Sequence, residues 1–216
     1  MYDKYNRVID YLRISVTDKC NLRCKYCMPA EGVQLLQHKA ILSYEEIVDV
    51  VKYAVAHGIR KVRLTGGEPL VRREILSLVS MIAEISGIDQ LSMTTNGVFL
   101  GEYAHKLAQA GLNRVNVSLD TLNPEKYQQI TRGGDLNAVL QGIEAADHAG
   151  LKPIKINMVI NEYTHEMDKE QLSQFCNKHG YQLRFIHQMD LKRGCFSVVE
   201  GGRGGYCPRC NRLRLT

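Results

Sequence analysis

Hydrophobic and polar positions along this chain switch repeatedly between two periods. Short apolar runs, rich in β-branched residues, predict six strands at Tyr11–Thr17, Lys61–Thr65, Gln90–Thr95, Arg114–Leu119, Pro153–Ile160 and Tyr181–Ile186. Between them the pattern turns helical. Ser43 and Glu46 form a capping box ahead of Ile47, Val50, Val51, Ala54 and Val55, and Gly58 supplies a stop. Further helices are predicted near Arg72–Ile85, Glu102–Ala110, Leu136–Ala149 and His165–His179, with a short one opened by Asn123 and Pro124. Strands alternating with helices at short spacing imply parallel βα units with right-handed crossovers. The fold class is α/β, and six such units make an open, partial (β/α)6 barrel rather than a closed eight-stranded one. Ligands in such folds bind at the carboxyl ends of the strands.

Unusual polar residues fall at those ends. The first strand is followed by Cys20, Cys24 and Cys27, spaced Cys-x3-Cys-x2-Cys. Gly66-Gly67-Glu68-Pro69 follows the second strand, Asn96-Gly97 the third, and Ser118 and Asp120 the fourth. Three thiolates in one loop hold three corners of a cubane iron–sulfur cluster, which leaves one iron without a protein ligand. A cluster ligated only by cysteine moves electrons; one with an open iron also binds a small molecule and reduces it. The alternatives are weaker. Structural zinc usually takes four ligands, and the nearest second Cys-x2-Cys pair, Cys207 and Cys210, stands at the far end of the chain. A disulfide framework does not suit an odd number of cysteines with no secretory segment ahead of it.

Composition narrows the partners. The 216 residues are 44% hydrophobic and 24% charged, an ordinary balance for a globular chain. No apolar run is long enough to span a bilayer, and no signal-like stretch opens the sequence, so a cytoplasmic location is expected. The net charge of +5 is mild and no run of five like charges occurs, which argues against a nucleic-acid arm. A small positive excess inside a cleft suits a phosphorylated small substrate.

The loop around Cys20, Cys24 and Cys27 resembles the radical S-adenosylmethionine superfamily. That resemblance implies a [4Fe-4S] cluster whose open iron chelates S-adenosylmethionine, and reductive cleavage to a 5′-deoxyadenosyl radical. Glycines at Gly66 and Gly67 would let backbone groups come close to the cofactor, whose methionine ammonium the Gly66-Gly67-Glu68 carbonyls would receive. Tyr26 and Met189 would cover adenine, and Ser118 and Asp120 would meet hydroxyl and ammonium groups.

Taken together the motifs resemble more closely the GTP 3′,8-cyclase family of molybdenum-cofactor biosynthesis. The resemblance implies cofactor contacts at Tyr26, Gly67, Ser118 and Met189, and nucleotide contacts at Arg13, Arg63, Thr94, Lys155, Arg212 and Arg214. Of the last set, Lys155, Arg212 and Arg214 would act catalytically by neutralising charge. Arg212 and Arg214 alternate with Leu213 and Leu215, so both project to one side of an extended segment. A flavodoxin- or ferredoxin-type electron donor is the implied protein partner, and a homodimer is left open.

The tail carries a second cysteine group. Cys207 and Cys210 fit either zinc or an iron–sulfur cluster, and a second [4Fe-4S] cluster completed by Cys195 is the sharper reading. The chain then divides into a barrel over 1–190 and a short cluster-binding extension over 191–216. The family carries a long segment between the sixth strand and its Cys-x2-Cys pair, shortened here to a glycine-rich link, and its third auxiliary cysteine lies downstream of the pair. Two rival readings stay open: a compact radical enzyme acting on another nucleotide, a sugar or a peptide, and a non-catalytic iron–sulfur protein.

Overall fold

The computed structural model describes residues 2, 6–161 and 164–188, and the backbone of 212–215. The predicted elements form in order: β1 (Tyr11–Ser15), α1 (Tyr44–Ala56), β2 (Lys61–Thr65), α2 (Ile75–Ala83), β3 (Gln90–Thr95), α3 (Leu100–Gln109), β4 (Arg114–Ser118), α4 (Pro124–Thr131), α5 (Leu136–His148), β5 (Lys155–Ile160), α6 (Glu166–His179) and β6 (Gln182–His187). The capping box is present, with Ser43 Oγ accepting from the Glu46 amide at 3.2 Å and Glu46 Oε2 from the Ser43 amide at 2.7 Å. The second helix starts three residues later than predicted. Arg72 stays extended, and its guanidinium donates to the carbonyls of Val16 and Leu42, both at 2.6 Å, while lying over the Tyr44 ring. That bond to the end of β1 outweighs helix propensity at Arg72.

The sheet has seven strands, not six. Its order is β6-β5-β4-β3-β2-β1-β7, with β7 at Arg212–Leu215, and every pairing is parallel. The pairing covers what would be the open edge of β1, whose backbone donors and acceptors need partners. The extended segment predicted around Arg212 and Arg214 thus belongs to the barrel sheet, with Arg214 in register with Arg13.

One face of the sheet carries the helices and the core. Ile14, Leu64, Met93, Val117, Ile156 and Met158 point there and are essentially fully buried against helix residues such as Leu78, Leu107 and Val139. Burial of each such side chain contributes about 1.5–3 kcal/mol. All-parallel sheets are usually apolar on both faces. Here most of the alternate positions in β1 to β5 are polar: Arg13, Arg63, Ser92, Asn116 and Lys155 lie on the face away from the helices.

A polar clasp ties α6 to the loop after β4. Asp168, in the first turn of α6, accepts from the Thr121 hydroxyl at 2.6 Å, from the His165 amide at 3.3 Å, and from Lys126. Burial alone would raise its pKa, but the Lys126 and Thr121 bonds outweigh burial and hold the carboxyl below its ordinary range. A carboxylate whose folded pKa lies below the unfolded value stabilises the fold above that unfolded value, about 3.9, and ceases to do so as pH falls through the folded one. Asp168→Asn is expected to cost about 1.5–3 kcal/mol at pH 7. In urea unfolding, the gap from the parent protein should narrow below about pH 4.

Candidate functional site

The cysteine loop leaves β1 and is held from several sides by its own fold. Gly67 donates its amide to the Thr17 carbonyl at 2.7 Å, and Glu68 donates to that of Lys19 at 2.8 Å. The glycines are required by this contact: a Cβ at Gly66 would stand 2.5 Å from the Thr17 carbonyl oxygen, and one at Gly67 2.2 Å from that of Lys19. Their place in the Gly-Gly-Glu-Pro turn is therefore set by the cysteine loop packed against them, a reason the sequence did not reveal. On the other flank the amides of Arg23 and Lys25 cap the carbonyls of Thr131 and Ile130 at the end of α4. Arg132, next along, donates to the carbonyls of Arg23 and Met28 at 2.6 and 2.9 Å.

Two carboxylates complete the frame. Glu68 is 1% exposed, and its oxygens accept from the Leu70 amide (3.1 Å), the Thr95 hydroxyl (2.7 Å) and the Asn96 amide (2.7 Å). It clamps the ends of β2 and β3 together. Asp120 accepts from the Tyr26 hydroxyl at 2.8 Å and the Val159 amide at 2.7 Å, so it ties the cysteine loop to β5. Burial pushes the Asp120 carboxyl up to about 6, against the opposing pull of those two hydrogen bonds. Ser118 closes β4 and is half-buried beside this pair in sequence.

Cys24 is repelled by Cys20 and Cys27, and Cys27 by Cys20. Burial raises the pKa of Cys20, Cys24 and Cys27; that of Cys24 reaches about 12, with Asp120, Cys27 and Cys20 adding repulsion. Such a group of thiols ionises together only around cationic charge, which a metal centre supplies. The buried Tyr127 hydroxyl has no hydrogen-bond partner among the described residues; burial raises its pKa, and Cys24 and Asp120 add repulsion. A sulfur-rich centre at the loop offers it an acceptor. Three cysteine thiols in one loop are the ligand type that holds an iron–sulfur cluster. The donor set fits an iron–sulfur cluster.

Beneath the loop, the polar face forms a cationic floor. Arg214, Arg13, Arg63, Ser92 and Arg114 are in register across β7, β1, β2, β3 and β4. Thr94, Asn116 and Lys155 form an adjoining row. Arg13 donates to the Thr65 hydroxyl at 3.3 Å. Arg63 donates to Ser92 Oγ at 3.4 Å and lies over the Tyr11 ring; with its amide oxygen turned toward β2, Asn116 accepts from Arg63 at 3.1–3.2 Å. Strands β1 to β6 contain six basic residues, Arg13, Lys61, Arg63, Arg114, Lys155 and Arg184, and no acidic one.

The cysteine loop, Gly66-Gly67 and Asn96 follow strand ends as the sequence indicates, and Ser118 closes β4. The residues that the resemblance implies for the nucleotide lie deeper: Arg13 and Arg63 sit mid-strand and Lys155 opens β5 at its amino end. They extend along the sheet face that is turned away from the helices. Arg114, Asn116 and Arg184 were missed, as was the bracing role of Arg132. The signal for the first three was present as period-two polar positions inside strands of a parallel sheet. Met189, Cys195, Cys207 and Cys210 lie outside the described residues, as does the boundary at 190; of Arg212 and Arg214 only the backbone is described.

The model of the Radical SAM superfamily matches residues 14–175, and with the parallel barrel and its three-thiol loop it defines the class of this protein. A GTP 3′,8-cyclase from Thermodesulfovibrio yellowstonii is 50% identical over 262 aligned positions, covering 100% of this chain and 81% of the relative. Another, from Alkaliphilus oremlandii, is 50% identical over 191 residues, 88% of this chain and 60% of the relative. The chain belongs to the GTP 3′,8-cyclase family, and spans between 60% and 81% of these two relatives' length. Streptococcus suis SuiB bound to precursor peptide SuiA shares the fold, with a TM-score of 0.72 at 18% identity over 85% of this chain and 40% of SuiB. Among the described residues no helix is long and apolar enough to cross a membrane.

Proposed function

We propose that this chain is a radical S-adenosylmethionine enzyme that joins C3′ of GTP to C8 of its guanine. The observation that carries the substrate class is the cationic floor: Arg13, Arg63, Arg114, Lys155 and Arg184 lie in strands that contain no acidic residue, beside the three-thiol loop, while the sixth strand cation, Lys61, is paired with Asp10 at 2.7 Å. A polyanion is the ligand such a face neutralises. The guanine nucleotide itself is supported by the family.

Cys20, Cys24 and Cys27 would hold the [4Fe-4S] cluster. Tyr26, Gly66, Gly67, Ser118 and Met189 would hold S-adenosylmethionine. When bound, the pair supplies a 5′-deoxyadenosyl radical after one electron arrives from a flavodoxin- or ferredoxin-type donor. The protein's own part is positioning and exclusion of water. The Glu68 carbonyl and Asp120 would also meet the cofactor, while their side-chain oxygens, accepting from Leu70, Thr95, Asn96, Tyr26 and Val159, brace the loops around it. Arg13, Arg63 and Lys155, with Arg212 and Arg214, would bind the triphosphate bidentately where guanidinium allows, and Thr94 would add a hydroxyl contact.

A second cluster on Cys207, Cys210 and Cys195 fits the direction of β7. That strand runs parallel to β1 with Arg212 opposite Tyr11, so the chain enters it at the amino end of β1. Cys210 precedes Arg212 by two residues in the sequence, and Cys207 and Cys195 would complete the ligand set. The favoured alternative is a shortened enzyme with another nucleotide substrate, since the alignment of 262 positions exceeds the 216 residues of this chain by 46.

Anaerobic reconstitution tests the reading. Two cubane clusters would give about eight irons per chain. With reductant and S-adenosylmethionine, 5′-deoxyadenosine should form only when GTP is present, together with a cyclised nucleotide. Cleavage indifferent to GTP would favour the alternative substrate; iron-free protein would overturn the reading altogether.

A further inference from the structure

One side chain near the cysteine loop has a place that none of these roles explains. Asn96 follows β3, and its amide nitrogen lies 3.9 Å from Cys20 Sγ and 2.8 Å from Asn21 Oδ1. The orientation of this amide is fixed by its other half. Its Oδ1 accepts from the Val98 amide at 3.0 Å, closing an Asx turn, so the NH2 group must face the loop. The Asn96 backbone is fixed in turn by Glu68, which accepts from its amide at 2.7 Å. The NH2 group has two hydrogens: one meets Asn21, and the other is directed at the sulfur. The Leu22 amide donates to the same sulfur at 3.4 Å. Cys20 Sγ therefore gathers two N–H donors.

We infer that Asn96 is a positioning residue that tunes the first cluster by donating a hydrogen bond to the Cys20 sulfur. This rests on the proposal that Cys20 is a cluster ligand. A donor at a ligand sulfur stabilises the electron-rich, reduced cluster more than the oxidised one, and so raises its potential. Besides the Asn96–Asn21 bond the loop has ties that do not involve Asn96: the backbone bonds from Gly67 and Glu68 to Thr17 and Lys19, and those from Arg23 and Lys25 to α4. The tuning role is thus separable from folding.

The test uses the full chain, reconstituted without oxygen, with iron and sulfide counted before potentiometry. Asn96→Ser keeps an acceptor for the Val98 amide but is too short to reach the sulfur. Asn96→Asp is isosteric, keeps the turn, and replaces the donor by an acceptor. At parental iron content both variants should show a more negative midpoint potential for the first cluster, with the larger displacement in N96D and an altered electron paramagnetic resonance signal. An unchanged potential in both variants would overturn the inference. So would loss of the cluster from N96S, because the amide would then be holding the loop rather than tuning it. A parent chain that takes up no iron would instead defeat the proposed function, an outcome distinct from either.

Discussion

Gly67→Ala is expected to strip the first cluster from the protein. The new methyl carbon would stand 2.2 Å from the Lys19 carbonyl oxygen and 2.7 Å from its carbon, closer than real contacts allow. Both are backbone atoms, so no side chain can swing aside. The loop must move, and Cys20 follows Lys19 directly. Iron content of the reconstituted variant should fall to background, and formation of 5′-deoxyadenosine should fall by at least about a hundredfold, the scale expected when reacting groups are displaced by an ångström. Gly101→Ala is the control. Its Cβ would meet nothing closer than 3.9 Å, and alanine favours α3 by about 0.5–1 kcal/mol. Parental iron content in Gly67→Ala would refute the packing argument.

Arg63→Ala should weaken GTP binding by about 10–100-fold, the equivalent of one charge-assisted hydrogen bond of about 1.5–3 kcal/mol. Arg63 is 6% exposed, stands mid-strand in the row containing Arg13 and Arg214, and faces Asn116 and Ser92. Its charge is partly shielded from water, so the loss should persist at salt concentrations that screen surface pairs. Arg63→Lys should recover only part of the affinity, because an ammonium cannot make the planar two-point contact. Calorimetric titration with GTP and with guanosine separates the phosphate contribution: the variant should lose affinity for the nucleotide and little for the nucleoside. Equal affinities for GTP in parent and variant would remove the cationic floor from the substrate site.

Element order was legible because apolar periodicity reports burial directly. Each strand appears near its predicted place, and Ser43 and Glu46 close their capping box. The cysteine loop was legible for a different reason: three thiols at Cys20, Cys24 and Cys27 are a chemical signal that local sequence carries unaided. The depth of Arg13, Arg63 and Lys155 was not legible. Their types suggested phosphate, but position along a strand relative to a neighbour depends on register, which is set between elements.

Local residue order determined the alternation of strands and helices, the three-thiol loop after β1, and the abundance of cations in the strands. Those properties follow from side-chain chemistry and from periodicity within one segment. Tertiary packing decided that β7 borders β1, that Gly66 and Gly67 bear against Thr17 and Lys19, that Glu68, Asp120 and Arg132 act as braces, and that Asn96 reaches Cys20. Each of these joins residues distant along the chain, so the folded geometry alone could assign them.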